Sequence, residues 1–200
     1  MRTFVVAACL IALASCSQSG EPPLSPATAP SFQGCYRIKQ DPATVTATIT
    51  FYGWPDNSPP GNAIAHPVIH KHAGGDGTYC NPTTFATEHA NNKRIPYGIK
   101  IYVPFLKQYF IREDLCAASG PPTGSGNNGC YKLWFDLWVG GTAKSKAHEV
   151  VHCERLLTPT HKVDVILYPR EGMPVAHPGP IYRNSPPPNG SCYGKRLLNT

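Results

Sequence analysis

The sequence predicts a small all-β domain with few short helices, built as a barrel or sandwich with long loops and disulfides. Three observations predict it. Several short segments alternate apolar and polar side chains with period two, the pattern of half-buried strands. The 22 Pro and 18 Gly among 200 residues break nearly every stretch long enough for a helix, which argues against a helical bundle or coiled coil. The 8 Cys suit an oxidising compartment, where cross-links support a small core. The length fits one compact domain with a tail.

The first 15 residues, MRTFVVAACLIALAS, carry Arg2 and then a short apolar run from Phe4 to Leu13. The run is too short to span a bilayer and has the form of a signal peptide. Leu13-Ala14-Ser15-Cys16 resembles the lipobox of bacterial lipoproteins, which implies cleavage before Cys16 and lipidation of that residue. A plain signal peptide that happens to contain Cys16 is the alternative. Ser17, rather than Asp, implies the outer membrane in a Gram-negative host. The expectation is an exported chain, lipid-anchored at the cell envelope, with the lipid as its only membrane anchor. Residues 16–34 read as a flexible Pro/Ser-rich tether, and residues 35–200 as the domain. Loss of Arg2 lowers the formal charge of +6 by one. With no Lys/Arg run, no nucleic-acid partner is expected.

Within the domain, residues 43–53 alternate: Val45, Ala47, Ile49 and Phe51 face one way and the intervening Thr the other. This predicts a half-buried strand. Residues 54–82, rich in Pro, Gly, Asn and His, form a long loop, a length often tied to function. Further strands are expected over 97–104, 107–114, 131–139 and 162–168. In the fourth of these five segments Tyr131, Leu133, Phe135, Leu137 and Val139 form one face, and Lys132, Trp134, Asp136 and Trp138 the other. From Pro169 a Pro-rich tail should wrap the surface. No internal repeat is visible.

Cys9 leaves with the signal. Cys35, Cys80, Cys116, Cys130, Cys153 and Cys192 remain for three disulfides, with 15 connectivities open. Cys116–Cys130 is the preferred local pair, because it closes a Gly/Pro/Ser/Asn loop between two strand-like runs.

Thr50-Phe51-Tyr52-Gly53 resembles the opening strand of expansins and rare-lipoprotein-A-like domains. Thr84-Phe85-Ala86-Thr87 and Ile95-Pro96-Tyr97-Gly98-Ile99-Lys100-Ile101-Tyr102-Val103 resemble a later segment of the same domains. Phe110-Ile111-Arg112-Glu113-Asp114 looks like their next strand, which ends in a functional Asp. Phe135-Asp136-Leu137-Trp138-Val139 is similar to a strand of the three-aspartate domain in some lytic transglycosylases. The resemblance covers roughly residues 43–168 and implies a six-stranded double-psi β-barrel that works on cell-wall polysaccharide or peptidoglycan. Its expansin relatives loosen glycans without cutting them, and its transglycosylase relatives cut them with an acidic residue. Asp114 and Asp136 match the family's acidic positions, with Asp114 first for general acid. Leu115-Cys116 departs from the Arg-Gly-Pro usual after Asp114 in the rare-lipoprotein-A-like pattern.

Glycan cleavage requires a proton donor at the leaving oxygen and often a second carboxylate, so Asp114 and Asp136 are the catalytic candidates. Trp134 and Trp138 flank Asp136 on its own face and, with Tyr52, are the candidate sugar-binding residues. Packing of the Trp rings beneath the tail is the competing reading. The same features suit a non-catalytic wall-binding module, and a disulfide-knit secreted inhibitor is a weaker reading.

His148-Glu149-Val150-Val151-His152 matches H-E-x-x-H, which on a helix places two His on one face for zinc, with the Glu as base. On a strand the two would stand ~13 Å apart. Val150-Val151 suits a strand, and Cys153 directly after suits a disulfide. A zinc peptidase is thus an alternative reading, and zinc is expected only under it. His66, His70 and His72 in the long loop read as exposed, and Gly74-Gly75-Asp76-Gly77-Thr78 as a turn.

Overall fold

The computed structural model describes residues 35, 39–57, 59–88, 93–116, 133–184 and 191–193. The signal peptide, Cys16, the tether, Cys130 and residues 131–132 lie outside the described residues.

Six strands close into a barrel: β1 (Ala43–Tyr52), β2 (Thr83–Thr87), β3 (Lys100–Val103), β4 (Gln108–Leu115), β5 (Trp134–Trp138) and β6 (Val163–Leu167). Their order around the barrel is β1-β5-β2-β4-β3-β6. β1 runs parallel to β5 and β2 to β4, and the other neighbours are antiparallel. Exchanging β1, β2, β3 for β4, β5, β6 reproduces the same circular order and directions. The barrel is therefore two interleaved three-stranded halves, a double-psi β-barrel. No repeat in the sequence marks this symmetry, because a shared backbone path does not demand shared side chains.

Alternation fills the interior. Ala47, Ile49 and Phe51 from β1 meet Phe85, Phe110, Phe135, Leu137 and Val165 in one buried cluster. β3 begins at Lys100 rather than at Tyr97, since Gly98 lies at φ 80, a left-handed conformation that interrupts a strand. Lys100 is fully buried. Its Nζ donates to Tyr79 O at 2.7 Å and lies 3.9 Å from the Tyr79 ring centre. Burial lowers this amine to about 8.

The H-E-x-x-H segment is helical. α1 (Ala147–Leu157) buries Val150, Cys153, Glu154 and Leu157, the i, i+3, i+4, i+7 stripe of a helix on a core. The β-branched pair Val150-Val151 is thus overridden by tertiary packing, a common fate for weak propensity.

The tail follows the surface as expected. Tyr109, Tyr102 and Gln108 donate to the carbonyls of Arg170, Pro174 and His177. It ends in a small ribbon, β7 (Tyr182–Arg183) with β8 (Ser191–Cys192). Disulfides join Cys35 to Cys80 and Cys153 to Cys192. Cys116 is also disulfide-bonded; the expected partner, Cys130, lies outside the described residues. Among the described residues, no helix is long and apolar enough to cross a membrane.

Candidate functional site

The register across four neighbouring strands builds the site. Thr50 on β1 pairs with Asp136 on β5, Asp136 with Ala86 on β2, and Ala86 with Asp114 on β4. These four residues form one rung across the sheet. Neighbouring strands lie about 4.8 Å apart, so the two Asp Cα atoms stand about 10 Å apart. Ala86 between them has too small a side chain to fill the gap. Phe135 and Leu137 point into the barrel, so Asp136 points out.

A bulge aims Asp114. Phe85 pairs with Arg112 but Ala86 with Asp114, leaving Glu113 as an extra residue in β4. Bulges of this kind re-aim the neighbouring side chain. The long loop then folds over this outer face. Its Ile64 and Ala73 pack with Tyr52, Ala86 and Trp138 in a second apolar cluster. Between loop and sheet lies a cleft of about 370 Å³, lined by Tyr52, Asp56, Ile64, Ala86, Asp114 and Asp136 among others.

Asp114 is held by three donors: Ala65 N–H at 3.0 Å, Leu115 N–H at 2.9 Å and Tyr52 Oη at 2.9 Å. Burial raises its carboxyl above the usual value; these donors and the nearby His66 oppose that rise. Among the described residues, Asp136 accepts from the side chain of Thr50, Oγ1 at 2.7 Å. Burial pushes it up to about 7, with Thr50 opposing and the charges of Asp56 and Asp114 adding. Tyr52 lies well above its ordinary value, chiefly by burial and then by Asp114. The cleft thus pairs a carboxyl raised to about 7 with a second whose rise three donors oppose. Such a pair can give a proton on one side of a bound bond and take one on the other.

The tryptophans have separate environments. Trp134 Nε1 donates to Thr50 Oγ1 at 2.8 Å, which fixes the hydroxyl that in turn binds Asp136. Trp138 is 4% exposed and meets Tyr52 edge-on, with ring centres 5.1 Å apart. Both join the cluster that holds Ile64 and Ala73 of the long loop, and Trp138 also borders residues of the tail. Trp138 also lines a second cleft of about 360 Å³, with Asn62, Gly74, Gly141, Tyr182 and Arg183. Asn62 lines this second cleft, and its chain neighbour Ala63 lines the first.

His148 and His152 are exposed on α1. Glu149 is engaged by Lys146 Nζ at 3.1 Å and Tyr182 Oη at 3.0 Å. Among the described residues, the group spaced to hold a metal is Cys35, Cys80 and Glu171, whose cysteines are joined in a disulfide. Neither His belongs to it.

Sequence reasoning missed three residues here. Asp56 sits in the turn after β1, and its Oδ1 accepts from Gly53 N–H at 2.7 Å. Glu154 occupies the buried stripe of α1, and a helical reading of 147–157 would have exposed it as an acid four residues after Val150. Glu113 reads as an ordinary strand residue, yet it is fully buried. It accepts from the amides of Val68, Ile69 and His70 and approaches His70 Nδ1 at 2.6 Å. His70 is therefore a half-buried anchor of the loop rather than an exposed histidine.

Comparison with known proteins places the chain among relatives. The family model of the DDB_G0273701 N-terminal domain matches residues 44–193. The chain is 42% identical over 115 residues to a protein of Dictyostelium discoideum described as uncharacterized protein DDB_G0273701/DDB_G0273221, an alignment covering 57% of this chain and 47% of that protein. The chain thus spans about half the length of the curated relative it matches. No solved structure matches it. The family match takes in the six barrel strands, apart from Ala43 at the start of β1, and both cysteines of the Cys153–Cys192 bridge, and the chain belongs to the DDB_G0273701 N-terminal domain family.

Proposed function

We propose that this domain is exported and binds or remodels cell-wall polysaccharide in the Asp114–Asp136 cleft, as a relative of the expansin, rare-lipoprotein-A-like and three-aspartate transglycosylase domains. The observation that carries the reading is the rung Thr50–Asp136–Ala86–Asp114 on the open face of a double-psi barrel. Asp136 is the proton donor, since it holds a proton near neutrality. Asp114 is the partner that ionises more readily, because three donors oppose the rise that burial imposes on it. This exchanges the order that the family resemblance implies. Disulfides support folding outside the cytosol, and the Cys16 lipobox supports a lipid anchor at the envelope.

The test is incubation of the purified protein with peptidoglycan and with plant polysaccharides, measuring sedimented protein and soluble fragments. Binding with fragment release that Asp136→Asn abolishes is the expected result. Binding without fragments narrows the reading to an expansin-like or wall-binding module. Failure to bind any of these polymers overturns it, and unchanged release by Asp136→Asn removes that residue from the mechanism.

A further inference from the structure

The second cleft carries a charge that the surrounding protein does not neutralise. Its walls include Trp138 at the end of β5, Asn62 of the long loop, Gly140 and Gly141 after β5, and Tyr182 and Arg183 of the tail ribbon. Arg183 is the sole charged residue among the described residues that line it.

The guanidinium sits in a built seat. Its Nε donates to Pro180 O at 3.2 Å and its Nη2 to Pro178 O at 2.5 Å. Its Cζ lies 4.3 Å from the centre of the Tyr193 ring. Gly179 leaves the space, since a Cβ there would stand 2.6 Å from Nη2 and 3.1 Å from Cζ. Gly179 N–H donates to Asp76 O at 2.7 Å, which ties the seat to the long loop. A side chain fixed in advance has less freedom to lose when a ligand arrives.

Carbonyls and an aromatic face satisfy hydrogen bonds and leave the net charge in place. Among the described residues, ion pairs join His70 to Glu113, Lys146 to Glu149 and Arg170 to Asp41; Arg183 takes part in none. The Asp76 carboxylate is spent on the amide and hydroxyl of Thr78, at 2.9 and 2.7 Å. The side chains of the tail cannot supply an acid either, because residues 172–200 contain no Asp or Glu. A fixed, uncompensated guanidinium in a cleft is suited to a carboxylate. The two clefts also have neighbouring walls. Asn62 of the second is followed by Ala63 of the first, and Trp138 of the second meets Tyr52 of the first edge-on. A polymer seated at Asp114 and Asp136 therefore has the second cleft beside it.

We propose that the second cleft binds a carboxylate-bearing sugar unit, its carboxylate paired with the Arg183 guanidinium. The inference deepens the polysaccharide reading and rests on it for the nature of the polymer. Such a carboxylate has two sources, a uronic acid within the glycan or the lactyl and peptide carboxylates of peptidoglycan.

The experiment is calorimetric titration of the purified protein with three ligands: an oligomer of galacturonic acid, soluble peptidoglycan fragments, and a neutral oligomer of glucose. One acidic ligand should bind about tenfold or more tightly than the neutral one, the ordinary worth of a charge-assisted hydrogen bond, and the preferred ligand identifies the source. Arg183→Gln should remove that preference. Equal affinity for acidic and neutral ligands overturns the proposal, and so does a preference that survives Arg183→Gln. If Arg183→Gln does not fold, the wild type is titrated with the acidic ligand and with its methyl ester while the Arg183 Nε–H signal is followed by NMR. Movement with the acid alone supports the site; no movement, or equal movement with the ester, overturns it. Fragment release is assayed in parallel. An acidic preference that needs Arg183, with Asp136→Asn changing neither binding nor release, keeps this site and removes the Asp114–Asp136 reading. Release that Asp136→Asn abolishes, without any acidic preference, does the reverse, and failure to bind all three ligands overturns both.

Discussion

Glu113 and Asp114 are neighbours on β4, carry the same functional group, and reach opposite states. Glu113 turns into the long loop. Burial works upward on it, but the hydrogen bonds from His70 and Ile69 outweigh burial and hold it below its ordinary value. Asp114 turns into the cleft, where three donors do not outweigh burial. The difference lies in partners. Glu113 has a basic counterpart, since its hydrogen bond raises the pKa of His70; Asp114 has Asp136 across the cleft. A carboxylate with an imidazole and three amides is an anchor. One that faces another acid is a site for proton chemistry. The bulge that separates them makes one residue fasten the loop and the next receive what lies beneath it.

The largest expected effect comes from breaking the anchor. Glu113→Ala strands three amides, the His70 ring and Thr84, which lies 3.3 Å away, in a buried setting. Loss of about 3–5 kcal/mol is expected, measured by urea unfolding. A loss below 1 kcal/mol would mean that the loop is held elsewhere. The contrast with Asp114→Asn, which keeps shape and donors, should be large.

A second test uses pH, because the two regions have opposite signs. Asp136 and Glu154, raised to about 7 and about 9, contribute stability that is full below their unfolded values near 4. That contribution is lost as pH climbs through the folded values. Glu113 is lowered, so its contribution is present above the unfolded value and is lost as pH falls through the folded one. Asp136→Asn should flatten the decline in melting temperature between about pH 4 and 7, and Glu154→Gln the decline between about pH 4.5 and 9. Neither should alter the acid-side loss due to Glu113. Profiles parallel to the wild type would contradict the assignments.

Gly53→Ala probes the wall between α1 and the cleft. Its Cβ would overlap Val150 Cγ1, so a loss of about 1–3 kcal/mol is expected, again by urea unfolding. The smallest effect is expected for Thr50→Val, which keeps the shape and removes the hydroxyl between Trp134 and Asp136. Since that hydroxyl restrains the rise of Asp136, the Asp136 midpoint should move up by less than about one pH unit. A downward shift would reverse the assigned role of Thr50.

Much of the barrel was legible because strand periodicity is local. The alternation over 43–53 and 131–139 put Ile49, Phe51, Phe135 and Leu137 inside and Asp136 outside, as found. The long loop and wrapping tail were legible from Pro, Gly and Asn, whose backbone restrictions act residue by residue. The helix at 147–157 was not, since Val150-Val151 favours a strand and only the core beneath α1 decides otherwise. Nor were the bridges Cys35–Cys80 and Cys153–Cys192, separated by 45 and 39 residues, because spacing in sequence does not measure distance in space.

The sequence by itself determined the class of fold, the faces of the strands, the presence of cross-links and the candidacy of Asp114 and Asp136. Only the tertiary structure decided that these two acids share a rung, that Glu113 anchors while Asp114 waits in a cleft, and that Arg183 lines a second one. Periodicity is written into neighbouring residues. Register, burial and the charge beside a carboxyl arise when strands distant in sequence come to lie side by side.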